Sequence, residues 1–346
     1  MSGARRLWTM TARLAVGVAM VVPGCGGGNR VVLQGAGATF PAPLYQKWFG
    51  EYGKLHPDVA IDYQALGSGA GIEQFTKGLV NFGASDAAMT DEEMAKVAGG
   101  VQLLPVTAGS IVLAYNLPDG PAELKLSREA YADIFLGKIT SWDDPKLKAC
   151  NPGAHLPDAK ITVVHRAEGS GTTYAFTRHL SAISEAWKQG PGFNKTVDWP
   201  NVGFIGAQGN AGVTAQVKQL PGAIGYIEYG YAVETKTPMA VLENKAGKYV
   251  APTIESGQAA LAHAHLPEDL RAWVPDPEGE QSYPIVTYTW LLAKTKYDDP
   301  MTAEKLKDVL RFCLTDGQKE SAALGYIPLP EKVAQVVLKA AEGISP

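Results

Sequence analysis

Four short polar segments hold the residues best suited to chemistry: Gly35-Ala36-Gly37-Ala38-Thr39-Phe40, Gly67-Ser68-Gly69-Ala70-Gly71, Gly83-Ala84-Ser85-Asp86 and Arg166-Ala167-Glu168-Gly169-Ser170-Gly171-Thr172. Each adjoins a strand-like or helix-like stretch. Together they offer backbone N–H groups, hydroxyls, the Arg166 guanidinium and, in Asp86, a carboxylate. That set suits the capture of a small oxyanion stripped of its water. Other chemistries fit less well. Neither Ser68 nor Ser170 stands in a Gly-x-Ser-x-Gly elbow, and His165 is the only histidine beside a motif. A Gly-Lys-Ser or Gly-Lys-Thr is absent from the sequence, which excludes a nucleotide P-loop, and no cluster of His and Asp at ligand spacing calls for a metal or another cofactor.

The segments must sit at helix starts to act together. Pro41 and Pro43 set the beginning of a helix after Thr39 and Phe40, with Gly35 and Gly37 read as a tight turn before it. Ser68 precedes the helical stretch of Ile72, and Ser170-Gly171-Thr172 precede that of Phe176. Three helix N-termini converging on one anion would each contribute about 0.3 to 2 kcal/mol. Any one of them alone reads as a plain N-cap. Arg166 raises the set, because it stands four residues before Ser170 at a strand end and can present a bidentate fork. Glu168, on the same side of the extended backbone, is expected to orient that arginine and moderate its charge; the alternative is an ordinary surface ion pair.

Asp86 discriminates among anions. A carboxylate in an anion pocket repels the ligand unless the ligand donates a proton, and phosphate near neutral pH keeps at least one O–H whereas sulfate keeps none. Asp86 is not needed as a helix cap, since Thr90 and Glu93 make the better capping box for the following segment.

The chain has 346 residues, 46% hydrophobic and 19% charged, enough for a large core and two lobes. Strand signals occupy Val31 to Gln34, Val59 to Leu66, Leu103 to Tyr115, Ile161 to His165, Ala223 to Tyr229 and Ile285 to Ala293. Helical periodicity joins Leu44, Trp48, Tyr52 and Leu55; Ile72, Phe75 and Leu79; and Phe176, Leu180, Ile183 and Trp187. An α/β protein follows. Leu103 to Tyr115 and Tyr283 to Trp290 are candidate crossovers, dividing the chain into a lobe of residues 31–108 with 285–346 and a lobe of residues 109–284. The cleft between them is the default ligand site. A net charge of −4, with no basic run after the first 30 residues, argues against a nucleic-acid partner. Anion attraction must then come from local dipoles and one placed cation, not from the global field.

Arg5, Arg6 and Arg13 precede the short apolar stretch Leu14 to Val22, the pattern of a secretory signal over residues 1–24. Val22-Pro23-Gly24-Cys25 reads as a lipoprotein cleavage box, making Cys25 the lipid-bearing first residue and residues 25–30 a glycine-rich tether. The bland alternative leaves Cys25 free. Cleavage lowers the formal charge from −4 to −7. A periplasmic or cell-surface monomer follows, touching the membrane through the anchor alone. Cys150 and Cys313 are expected to be separate thiols, although that compartment permits a disulfide.

Several runs then coincide. Gly35 to Pro43, Phe82-Gly83-Ala84-Ser85-Asp86, Gly137-Lys138-Ile139 with Trp142-Asp143-Asp144, Gly169-Ser170-Gly171-Thr172, Leu220 to Tyr226 and Leu324 to Pro330 resemble the phosphate-binding proteins of bacterial phosphate-specific ABC importers, in order along the chain. The resemblance implies a two-lobed periplasmic-binding-protein fold closing on dehydrated phosphate, with no enzymatic activity. It implies ligand contacts at Thr39, Phe40 (through its N–H), Ser68, Asp86, Arg166, Ser170, Gly171 and Thr172, and partners in the permease and ATPase subunits of an importer. Aspartate is common in the family where Glu168 stands, and serine where Gly69 stands. Affinity should be micromolar or tighter, because phosphate desolvation and lobe closure offset much of the hydrogen bonding. The alternatives are an extracytoplasmic phosphate sensor, a phosphatase, or a receptor for another oxyanion.

Overall fold

The computed structural model describes residues 30–200, 203–262 and 264–346; the expected signal segment, Cys25 and the tether up to Asn29 lie outside them. The strands are β1 (Val31–Gly37), β2 (Val59–Ala65), β3 (Phe82–Ser85), β4 (Val101–Asn116), β5 (Lys125–Leu126), β6 (Thr162–Arg166), β7 (Ile205–Ala207), β8 (Ala223–Glu228), β9 (Val241–Glu243), β10 (Tyr249–Val250) and β11 (Val286–Lys294). A large sheet runs β2-β1-β3-β11-β4-β8-β6-β7, and a small one runs β10-β9-β5.

The large sheet has two halves. β1 pairs parallel with β2 and β3, and β6 pairs parallel with β7 and β8. β4 joins them: Val101 to Ser110 pair antiparallel with β11, and Ile111 to Asn116 pair antiparallel with β8. Its long apolar run is what a strand covered on both faces requires. Pro105, which has no N–H to give the ladder, faces Trp290 where the register with β11 shifts.

The first half carries the helix Ala42–Leu55, which buries Leu44, Tyr45, Trp48, Phe49 and Tyr52 on one face. Helix Pro300–Leu314 packs on it and on β1, while helix Glu331–Ala341 packs on Pro300–Leu314 and on β4. The C-terminal helices therefore complete the first half. Cys150 and Cys313 are both free thiols, the latter buried.

Some expectations need correction. Gly35 and Gly37 are not a turn; both lie inside β1. Glycine serves close approach there, because a Cβ on Gly37 would fall 2.0 Å from the Ala84 carbonyl oxygen of the neighbouring strand. Ser68 does not precede its helix but is the first residue of it, Ser68–Thr76. Strands β3, β5, β7, β9 and β10 went unread as strands, being two to four residues long and too short to show a period.

Candidate anion-binding site

The candidate residues from the sequence all sit where strands end and helices begin, on both halves of the sheet. From the first half come Thr39 and Phe40, between β1 and helix Ala42–Leu55, then Ser68 at the start of its helix, and Asp86 just past β3. From the second half come Arg166, the last residue of β6, and Ser170, Gly171 and Thr172 at the head of helix Gly171–Ile183. Parallel strands point their C-terminal ends the same way, so the helix starts that follow them open into one crevice, the usual ligand position in α/β sheets.

The halves touch here. A Cβ on Gly171 would lie 2.5 Å from Ser68 Oγ and 2.7 Å from Asp86 Cβ and N, so the head of that helix rests directly on the opposite side. Gly69 N donates to the Gly169 carbonyl at 2.8 Å, and Asn210 of helix Gly209–Gln219 donates to Thr39 Oγ1. Farther out, Lys195 pairs with Glu93 at 2.6 Å and Arg271 with Asp91 at 2.7 Å. The site is enclosed: Ser68, Ser170 and Thr172 are wholly buried, and Thr39, Asp86 and Arg166 nearly so.

The hydroxyls share one logic. Ser68 Oγ accepts from Asp86 N at 3.2 Å, Ser170 Oγ caps its helix by accepting from Thr173 N at 3.1 Å, and Thr172 Oγ1 accepts from Arg166 Nη1 at 3.2 Å. Thr39 Oγ1 accepts from Asn210 N at 3.2 Å. Each uses lone pairs toward the protein and keeps a hydrogen to donate. Ser170 is thus a cap without losing the ability to serve a ligand. The first N–H groups of its helix, at Gly171 and Thr172, have no partner inside the helix and carry the positive end of its dipole.

Charge is distributed unevenly. Arg166 Nε donates to Glu168 Oε1 at 2.8 Å, and Nη2 donates to the same oxygen. Gly209 N, at the head of another helix, donates to the Glu168 carboxylate at 3.2 Å. That fourth helix start faces the carboxylate. Asp86 has less support: Thr289 Oγ1 on β11 donates to its Oδ1 at 2.8 Å. Burial pushes the Asp86 carboxyl up to about 7, against the opposing pull of Thr289, the Arg166 charge and Ser68. Burial also raises Glu228, whose Oε1 accepts from Gly230 N at 2.9 Å. The carbonyls of Thr39 and Phe40 are fixed by the Tyr231 and Tyr326 hydroxyls at 2.6 and 2.7 Å. This leaves the Phe40 ring packed edge-on to Tyr326, with its centroid 6.2 Å away.

Thr289, Asn210 and Gly209 were not foreseen. Thr289 is one of two threonines in a mostly apolar strand, and the local sign of the other two is an asparagine beside a glycine at a polar helix start. As assembled, the site can hold a small tetrahedral anion with neutral donors, one paired guanidinium and one acceptor seeking a proton.

Known proteins share much of this chain's sequence and its fold. Residues 26–316 match the PBP superfamily domain. The phosphate-binding protein PstS of Methanocaldococcus jannaschii is 43% identical, with 94% of each chain covered. That of Pasteurella multocida is 40% identical, with 88% of each covered. Among solved structures, a high-affinity periplasmic phosphate-binding protein bound with phosphate superposes with a TM-score of 0.73 at 22% identity, covering 91% of this chain and 99% of its own. An ABC-type phosphate transport receptor from Vibrio cholerae gives 0.57 at 21% identity, covering 86% and 100%. At those identities the two structures speak for the two-lobed fold alone. The relatives' identity and coverage go further: this chain belongs to the PBP superfamily and, within it, to the family of the phosphate-binding proteins PstS.

Proposed function

We propose that this chain is an extracytoplasmic receptor that captures inorganic phosphate with high affinity and delivers it to the permease of an ABC importer. The observation that carries the reading is Asp86, a buried carboxylate raised to about 7 beside four hydroxyl-bearing residues and a guanidinium. A bound anion must share a proton with that carboxyl, and phosphate near neutral pH carries one to give. Thr39, the Phe40 N–H, Ser68, Ser170, Gly171 and Thr172 donate to the phosphate oxygens, Arg166 supplies the full positive charge, Asp86 accepts the phosphate proton and Glu168 orients Arg166. The lobes are residues 31–108 with 285–346, and residues 109–284. In support, β4 changes partner from β11 to β8 between Ser110 and Ile111.

Release follows reopening of the lobes, which docking on the permease drives. The ATPase subunits complete the importer, the receptor itself is a monomer, and Cys25 bears the lipid that holds it at the membrane. Hydrolytic chemistry finds little footing. His165 Nδ1 lies 2.9 Å from the Arg166 carbonyl, and its ring stacks on Trp199 with centroids 5.0 Å apart. A phosphomonoester should show no turnover.

Calorimetric titration with phosphate and sulfate tests the reading. Phosphate is expected to bind at micromolar or tighter Kd, about −8 kcal/mol or better, with sulfate over a hundredfold weaker. Equal affinity for the two anions would remove the role given to Asp86.

A further inference from the structure

Asn210 is wholly buried, and every hydrogen-bonding group of its side chain is engaged. Its Oδ1 accepts from Glu228 N at 2.9 Å, which fixes the amide orientation and turns both Nδ2 hydrogens the other way. Those hydrogens go to Thr39 Oγ1 at 3.0 Å and to Thr172 Oγ1 at 3.3 Å. The Asn210 backbone N–H adds a second bond to Thr39 Oγ1, at 3.2 Å.

A threonine hydroxyl has two lone pairs and one hydrogen. On Thr39 both lone pairs are filled by Asn210; on Thr172 they are filled by Asn210 and by Arg166 Nη1 at 3.2 Å. Neither oxygen can then accept from a ligand. Thr39 belongs to the first half of the sheet, while Thr172, Arg166 and Asn210 belong to the second, so the Thr39 arrangement exists only when the halves meet, whereas that of Thr172 is built within one half. We propose that Asn210 is a positioning residue that makes Thr172 an obligate donor within its own half and makes Thr39 one only across the closed cleft. The inference rests on the phosphate reading above and deepens it. It leaves Asp86 as the acceptor for a phosphate proton, because the two threonines cannot take one.

The test is calorimetric titration of inorganic phosphate into the full mature chain, for the wild type, N210D, N210A, T39V and the T39V/N210D pair. N210D keeps the shape and the bond from Glu228 N but puts an acceptor where the donor stood, so both threonine hydrogens turn away from the ligand. N210D is expected to lose more than about a hundredfold in affinity, and N210A less than about tenfold, since freed hydroxyls can still donate. A residue that merely filled space would give the reverse order.

The double-mutant cycle separates donor reversal from the added charge. T39V should cost about tenfold or more beside Asn210 and at most about twofold in the N210D background. An equal cost in both backgrounds would overturn the proposal. Because N210D could fail to fold, the wild-type phosphate complex supplies a second readout by NMR. The Thr39 and Thr172 hydroxyl protons should exchange slowly and couple to the phosphorus nucleus through their hydrogen bonds; absence of both couplings would overturn the proposal equally. Lack of any phosphate binding by the wild type would sink the phosphate reading itself, a result distinct from a wild type that binds normally while the variants misorder.

Discussion

The two walls of the cleft handle charge in opposite ways. On the second-half wall, Arg166 is paired with Glu168, which also faces the Gly209 N–H, so the charges there are matched. On the first-half wall Asp86 is buried with the Thr289 and Ser68 hydroxyls and the more distant Arg166 charge to support it, and burial raises its carboxyl to about 7. A matched pair is indifferent to which anion arrives. An under-supported carboxylate is not, since it gains most from a partner that donates a proton. Under the proposed phosphate reading, affinity falls to the neutral donors and the paired arginine, and selectivity to the first wall.

The sharpest way to break the contrast is to keep the walls apart. In Gly171→Ala the new Cβ would fall 2.5 Å from Ser68 Oγ and 2.7 Å from Asp86 N, so neither wall can reach the other without displacement. Overpacking of this kind costs roughly 3 kcal/mol at its upper end, and phosphate affinity should fall by more than about a hundredfold. The cost falls on the closed state only. The melting temperature of phosphate-free protein should therefore change little, and calorimetry beside a thermal melt checks both.

Asp86→Asn is next. Phosphate should weaken about tenfold while sulfate comes within about tenfold of it, as competitive titration would reveal. The pH dependence is the finer check. A folded value of about 7 lies above the roughly 3.9 of an unfolded aspartate, so the folded chain holds this proton more tightly. The stability it contributes is fully present below about pH 4 and is lost as pH rises through 7, up to about 4 kcal/mol if the cleft stays closed. Phosphate-free wild type should lose melting temperature across that window by as much as the open cleft leaves Asp86 buried on its own wall, and the variant should lose less.

These walls were partly legible in the sequence. The α/β alternation was plain, and so was β4, because an apolar run of that length must cross the middle of a sheet. The capping box was readable because its partners are three residues apart; Thr90 Oγ1 accepts from Glu93 N at 3.2 Å, and Glu93 Oε2 accepts from Thr90 N at 3.0 Å. Thr289 and Asn210 were not, since they meet Asp86 and Thr39 across 203 and 171 residues of chain. No local pattern marks a residue whose purpose is set by such a distant neighbour. Gly37 shows a related limit: a glycine needed for strand approach and one needed for a turn are spelled alike.

A smaller effect tests the matched wall. Glu168→Gln retains an oxygen for the arginine to bond but removes the counter-charge, so Arg166 acts on the anion at full strength. Phosphate affinity should rise, by less than about tenfold. Glu168→Ala removes the oxygen as well and should weaken binding, because the guanidinium loses its fixed orientation. If both variants bound more tightly, Glu168 would be a charge moderator and nothing else.

The smallest effect lies at the outer edge of the cleft, where the walls meet through ion pairs. Lys195 and Glu93 are 2.6 Å apart, with side chains 20% and 25% exposed. Such pairs are worth under about 1 kcal/mol and are screened by salt. Lys195→Met should therefore weaken phosphate binding by no more than about fivefold at low salt, with the difference from wild type vanishing near 1 M. Glu93 has a second task in the capping box, so Glu93→Gln should also lower the melting temperature slightly, whereas Lys195→Met should not. A salt-independent loss in the lysine variant would mean that this contact stabilises the closed state through packing of its aliphatic stem, and that the outer edge of the cleft is not held by charge.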